Sequence, residues 1–467
     1  MPSLTGAEAI VKSLQQNGVD TIFGLPGGQL DHLFDAIYKT EGKIKLIHSR
    51  HEQGAAYMAF GYARSTGRLG AYTVVPGPGL LNTTAALCTA YACNAPVLCL
   101  TGQIPSAGIG TGRGYLHEIP DQLGLIQKLT KWAARIDHPT QAPDLVREAL
   151  KQLQTGRPRP VELEMAMDVM GQQSEVSLLP PESHTALAPD PEQIEQVAKQ
   201  LCLAKRPIFV VGGGAQHASS EVLRMAEMLQ APVTFFRSGK GVIDERHYLS
   251  QSFPAGHRLW ADADVVLAIG TRLKYQQMYW GLDKNLKILR IDIDPTEINR
   301  ISTPEIGIVA DARTALEALL PLVESHNIPR PSRTEELNYL KTEFQEAFED
   351  KIAPQMGYLR VIREELPEDG FFVDEVTQVG FASWYAFPTY HPRHFISAGY
   401  QGTLGYGYAT ALGVQAAHPD KKVIAIAGDG GFLFNVQELA TAVQYGLGVV
   451  VIVFNDNKFG NVQRQQK

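Results

Sequence analysis

Two carboxylates stand at the ends of two short apolar runs. Residues 423–427 lead into Gly428, Asp429 and Gly430, and residues 449–454 lead into Asn455, Asp456 and Asn457. Both runs are short and rich in Val and Ile, as buried parallel strands are. Between them, residues 435–445 have helical spacing, with Val436, Leu439, Ala440 and Val443 on one face. A strand–loop–helix–strand unit puts both carboxylates on one edge of a parallel sheet, where ligands bind. A hard ion such as Mg²⁺ takes one or two carboxylates plus phosphate oxygens, and glycines at 428 and 430 admit a diphosphate closely. Two strand-end carboxylates capping helices are the plain alternative, and this unit alone leaves the two readings even.

Other groups invite the same weighing. Glu52 falls in the first turn of a helix expected from near His51, where a carboxylate is favourable beside the helix N-terminus without any chemistry. His117 lies in the loop 111–122, TGRGYLHEIPDQ; a lone loop histidine is ordinarily polar surface. Glycine-rich stretches punctuate the chain: the turn 24–28 with Gly27 and Gly28, the loop 76–82 ending at Asn82, and AGYQGTLGYGYATALG over 398–413. Each reads first as a tight turn or a close approach of backbone.

Taken together these stretches resemble the thiamine diphosphate-dependent enzymes, in the branch of acetolactate synthases, benzoylformate decarboxylases and benzaldehyde lyases. The carrying motifs are Gly428-Asp429-Gly430 with its following helix and strand, His51-Glu52-Gln53-Gly54-Ala55-Ala56, the Pro76–Asn82 loop and the 398–413 stretch. The resemblance implies a metal site of Asp429, Asp456 and the carbonyl of Lys458; position 456 is more often Asn in the family. It implies that Glu52 hydrogen-bonds N1′ of the aminopyrimidine, so that the 4′-nitrogen can take the proton of thiazolium C2. It makes Gly402 a carbonyl partner of the 4′-amino group and Leu404 the apolar wedge under the cofactor. Gly428, Gly430, Asn82, Gly27 and Gly28 join the cofactor contacts, and His117 becomes a proton shuttle or substrate-orienting group. Pro76 stands where relatives carry a small hydroxyl residue.

Around these motifs, helix and strand patterns alternate along all 467 residues. The fold expected is α/β with three domains on parallel sheets, two flavodoxin-like cofactor-binding domains flanking a Rossmann-like centre. Their bounds are 1–170 for pyrimidine binding, 190–325 for the centre and 335–467 for diphosphate and metal, with 171–190 a linker. Relatives continue past Lys467, so the third domain is read as incomplete. The central Gly212-Gly213-Gly214 is not a full dinucleotide fingerprint, and the family's G-M-H-G stretch is missing, so a centre without FAD is favoured over one that binds it.

A net charge of -7 without a basic block argues against nucleic acid. No apolar run is long enough to span a bilayer and no leader pattern appears. Cys88, Cys93, Cys99 and Cys202 lack zinc or disulfide spacing and read as buried thiols of a cytoplasmic protein. The function expected is a thiamine diphosphate- and Mg²⁺-dependent, acetolactate synthase-like decarboxylase or carboligase acting on a 2-oxoacid. Alternatives are a C–C lyase or hydrolase of 2-hydroxy ketones or diketones, or a silent cofactor-binding homologue. By resemblance the sites lie between subunits of a homodimer or homotetramer.

Overall fold

The structure, a computed structural model, describes residues 2–282 and 285–466. They fall into two compact units, Met1–His184 with Ala398–Lys467, and Thr185–Ser397.

The first unit is built on a six-stranded parallel sheet. Across it run Lys45–His48, Thr21–Gly24, Gly70–Val74, Val97–Gln103, Val161–Ala166 and Trp132–Ile136. In chain order this is 2-1-3-4-6-5, a doubly wound sheet whose direction of growth reverses between Thr21–Gly24 and Gly70–Val74. Ligand crevices form at such reversals, beyond the carboxyl ends of the strands. The turn carrying Gly27 and the loop starting at Val75 meet there: a Cβ on Gly27 would come within 2.4 Å of Val75 Cγ1. The first helix, Gly6–Gln16, starts with a capping box in which Thr5 and Glu8 satisfy each other's backbone amides.

The helix Glu52–Thr66 is buried on nearly all sides, so no amphipathic stripe marks it. Its small residues have a purpose in packing. A Cβ on Gly61 would sit 2.0 Å from the carbonyl of Thr410, and one on Gly413 would sit 1.9 Å from that of Met58. The helix Gly407–Ala417 therefore crosses it backbone against backbone. The same unit holds the parallel pair Val423–Gly428 and Val450–Phe454, with Gly428 opposite Phe454.

The second unit has a six-stranded parallel sheet in the order Ser250–Gln251, Val233–Phe235, Pro207–Val211, Val265–Ile269, Lys287–Asp292 and Ile306–Val309. That is 3-2-1-4-5-6, the Rossmann order expected of the centre. It also holds the parallel pair Phe371–Val373 and Phe395–Ile396.

Several local expectations need correction. The segment 171–190 is not all linker: Gln173–Glu175 pairs antiparallel with Ser3–Thr5, because the chain's first strand needs a partner for its amides. The helix after Gly428-Asp429-Gly430 turns its apolar face outward. Leu439 and Val443 are exposed while Glu438 and Thr441 are buried, and the reason is the backbone that the two polar groups meet. The strand Val450–Phe454 is half exposed rather than buried, as an edge strand with one neighbour in its unit would be. Of the cysteines, all free, only Cys99 is buried. Among the described residues no helix is long and apolar enough to cross a membrane.

Candidate active site

Glu52 opens its helix because the strand Lys45–His48 ends and His51 turns the chain. The His51 ring accepts the amide of Gln53 at 3.1 Å and caps the first turn. Glu52 is half-buried, and its Oε2 accepts a 3.0 Å hydrogen bond from Nδ2 of Asn82. Two residues thirty positions apart, both expected at the site, thus touch. Glu52 Oε1 lies 3.6 Å from the point that a Cβ on Gly79 would occupy, so the segment expected as the loop 76–82, which is a short helix over Pro78–Asn82 with proline at its first position, runs directly beside the carboxyl.

Gly77, the residue that caps this short helix, has a positive φ of 58. A side chain there would strike the carbonyl of His117 at 2.3 Å, so both conformation and space demand glycine. Its amide is held by Gln122 Oε1 at 2.8 Å, while Gln122 Nε2 donates to the carbonyl of Gly102 (3.1 Å) and to Glu164 (2.8 Å). Arg135 pairs with the same Glu164. Beside it, burial and then the Glu164 charge push the Glu162 carboxyl well up, and the Thr101 hydroxyl donates to it. This buried network beneath the turn at Gly77 was not assigned from sequence.

His117 follows from the loop's geometry. Glu118 accepts the amides of Gly112, Gly114 and Tyr115 at 2.7–2.9 Å, and Gln29 donates to the carbonyl of Leu116 at 3.2 Å. The loop is gathered so tightly that His117 itself has φ 68. Its Nδ1 is shut off from solvent without a hydrogen-bond partner. A buried polar atom left unpaired is costly, and such an atom beside the crevice suits contact with a bound molecule.

The second group of residues gathers at the end of the Val423–Gly428 and Val450–Phe454 pair. Asp429 starts the short helix Asp429–Leu433. A Cβ on Gly430 would meet the Phe459 ring at 2.5 Å, which brings the 456–460 loop against the Gly-Asp-Gly turn. Asp456 is exposed, and its Oδ1 accepts the amide of Lys458 at 3.2 Å. The carboxylates of Asp429 and Asp456 and the carbonyl of Lys458 are all oxygen donors, a chemistry that fits Mg²⁺ completed by diphosphate oxygens and waters. Among the described residues no group of three or more His, Cys, Asp or Glu is placed to hold a metal ion. Gly402 is exposed with φ 57 and open space where a Cβ would be. Leu404 is half-buried, next to Gly405, whose carbonyl accepts from Asn435 Nδ2 at 2.5 Å. Gly28 is exposed with open space around it, a position a ligand can approach. Glu52 pairs with Asn82, not with a group of the Asp429 segment; the two segments are joined instead through Glu438, which sequence reasoning missed.

Three family models match: the N-terminal TPP binding domain of thiamine pyrophosphate enzymes over residues 4–125, their central domain over 194–319, and their C-terminal TPP binding domain over 375–467. The chain is 36% identical to a probable acetolactate synthase large subunit of Methanocaldococcus jannaschii, covering 99% of this chain and 82% of that protein. It is also 36% identical to an acetolactate synthase of Arthrospira platensis, with 99% and 84% covered. A probable 2-ketoarginine decarboxylase of Pseudomonas aeruginosa is 33% identical, again over 99% and 84%.

Proposed function

Because the chain belongs to the thiamine pyrophosphate enzyme family, we propose that it is a thiamine diphosphate- and Mg²⁺-dependent decarboxylase or carboligase acting on a 2-oxoacid. The observation that carries this reading is the Glu52 carboxyl, held by Asn82 on one oxygen and facing the Gly79 loop with the other. When bound, thiamine diphosphate supplies a thiazolium carbon able to attack a carbonyl carbon. Everything else falls to the protein. Glu52 holds a proton against a ring nitrogen of the aminopyrimidine, an acid–base arrangement that needs a fixed and partly desolvated carboxyl. Asp429, Asp456 and the Lys458 carbonyl hold the ion and through it the diphosphate. Gly402, Leu404, Gly428, Gly430, Gly27, Gly28 and Asn82 would contact the cofactor. His117 orients the substrate or passes it a proton.

The relatives' names support a 2-oxoacid: an acetolactate synthase and a 2-ketoarginine decarboxylase both process one. A second reading, a C–C lyase of 2-hydroxy ketones, is favoured by His117 alone, since its unpaired Nδ1 suits removal of a hydroxyl proton. For the second unit a scaffold without FAD is preferred. The turns after its two central strands close on each other, Gly214 donating to the Gly270 carbonyl at 3.0 Å, at the reversal where a dinucleotide would lie. Domains of 1–170, 190–325 and 335–467, a homodimer or homotetramer and a cytoplasmic location complete the proposal. The test is consumption of pyruvate with thiamine diphosphate and Mg²⁺, the product identified by NMR. Acetolactate is the product expected; cofactor binding without pyruvate loss would redirect the search to larger 2-oxoacids and 2-hydroxy ketones.

A further inference from the structure

One buried carboxylate has no part in the chemistry above. Glu438 is 0% exposed and ends the turn Val436–Glu438, nine residues after Asp429. Its Oε1 accepts the main-chain amides of Arg50 and His51, both at 3.0 Å, and its Oε2 accepts the amide of Arg50 at 3.1 Å and the hydroxyl of Thr441 at 2.7 Å. The same helical face goes on reading the neighbouring backbone. Thr441 Oγ1 lies 3.2 Å from the carbonyl of His48, and the amide of His48 donates to Tyr445 Oη at 3.0 Å. Residues 438, 441 and 445 therefore bind the main chain of 48–51, the segment that joins the strand Lys45–His48 to the helix starting at Glu52.

The contact is exacting. A Cβ on Gly54 would lie 2.5 Å from Glu438 Oε1, so the helix carries glycine where the carboxylate presses on its first turn. Burial pushes the Glu438 carboxyl up, and its bonds to Thr441, Arg50 and His51 offset part of that cost. A carboxylate on amides at a helix N-terminus is a charge-assisted arrangement that also suits the helix dipole.

We propose that Glu438 is a positioning residue for Glu52: it clamps the amides of Arg50 and His51, fixes the first turn of the Glu52–Thr66 helix, and ties that turn to the segment that carries Asp429. This rests on the reading of Glu52 as the catalytic carboxyl. The clamp itself is a property of the polypeptide, so it can be read without cofactor.

The experiment is hydrogen–deuterium exchange at single-amide resolution on the cofactor-free full chain, with turnover of the loaded enzyme measured beside it. In Glu438→Gln the remaining carbonyl oxygen still accepts both amides, so protection at Arg50 and His51 and turnover stay within about threefold of wild type. In Glu438→Ala those amides exchange at least about tenfold faster, while the strand Val97–Gln103 keeps its protection. The kcat falls by about tenfold or more, and the glutamine variant rescues it. Gly54→Ala, which displaces the carboxylate while leaving Glu438 in place, is expected to expose the same two amides, and it decides the matter if Glu438→Ala does not fold. Unchanged protection at Arg50 and His51 in Gly54→Ala and Glu438→Ala overturns the clamp. Lost protection with unchanged kcat overturns the positioning role. If wild type consumes no 2-oxoacid, the functional reading fails, and with it the positioning role; the exchange data still decide the clamp.

Discussion

Asn82 Nδ2 donates to Glu52 Oε2 at 3.0 Å, joining the short helix Pro78–Asn82, which follows the strand Gly70–Val74, to the helix that follows the edge strand Lys45–His48. The bond leaves Oε1 facing the loop at Gly79 and fixes the carboxyl's rotation. Asn82→Ala frees that rotation and removes one solvent-accessible hydrogen bond, worth about 0.5–1 kcal/mol. Turnover at saturating cofactor is expected to fall by about tenfold or more with little change in melting temperature. Asn82→Asp, which sets a like charge against Glu52, is expected to fall further. Steady-state kinetics and thermal melts of the two variants check this.

Gln122 closes three hydrogen bonds from a position 1% exposed, to Gly77, Gly102 and Glu164. Gln122→Leu leaves the Gly77 amide and one oxygen of Glu164 without it, at a cost of about 2 kcal/mol or more. Urea unfolding should register that loss. Because the loop beside Glu52 is released as well, the KM for the 2-oxoacid should rise.

The crossing of the helices Glu52–Thr66 and Gly407–Ala417 leaves no room for a methyl group. Gly61→Ala or Gly413→Ala forces the helices apart against contacts of 2.0 Å and 1.9 Å. Alanine's better helix propensity, worth about 1 kcal/mol, does not offset overpacking of about 3 kcal/mol. Both variants are expected to unfold at lower urea concentration than wild type; a gain in stability would mean that the helices are not in contact there.

Asp311 caps the helix Ala312–His326 and bonds to the ring of His217 at 2.8 Å and the amide of Thr314 at 3.1 Å. Burial pushes its carboxyl up, but the His217 and Thr314 bonds outweigh burial and bring it down from 3.8 to about 2. A carboxyl lowered on folding stabilises fully above its unfolded value, and the contribution disappears as pH falls through the folded one. About 2 kcal/mol is therefore lost between roughly pH 4 and pH 2. Unfolding free energy measured across that range should fall less steeply in Asp311→Asn.

Much of this was legible in the sequence because it depends on local chemistry. Short Val- and Ile-rich runs ending in glycine and a carboxylate located the strand ends. What escaped depends on partners distant in the chain. Nothing near Glu438 tells that main-chain amides of Arg50 and His51 await it, so helical periodicity shows that Leu439 and Val443 share a face but not that this face is exposed. The support of Gly77 by Gln122 spans forty-five residues and carries no periodic signal. The exposure of Val450–Phe454 depends on which strands flank it, not on its own composition.

The most direct test of the central claim is the rate of 2-oxoacid consumption, followed by NMR, for wild type and Glu52→Gln at saturating thiamine diphosphate and Mg²⁺. Loss of about a hundredfold or more in the variant, with cofactor still bound, is the expected result, as removal of a positioned acid–base group costs that much. A Glu52→Gln enzyme that turns over at the wild-type rate would contradict the account.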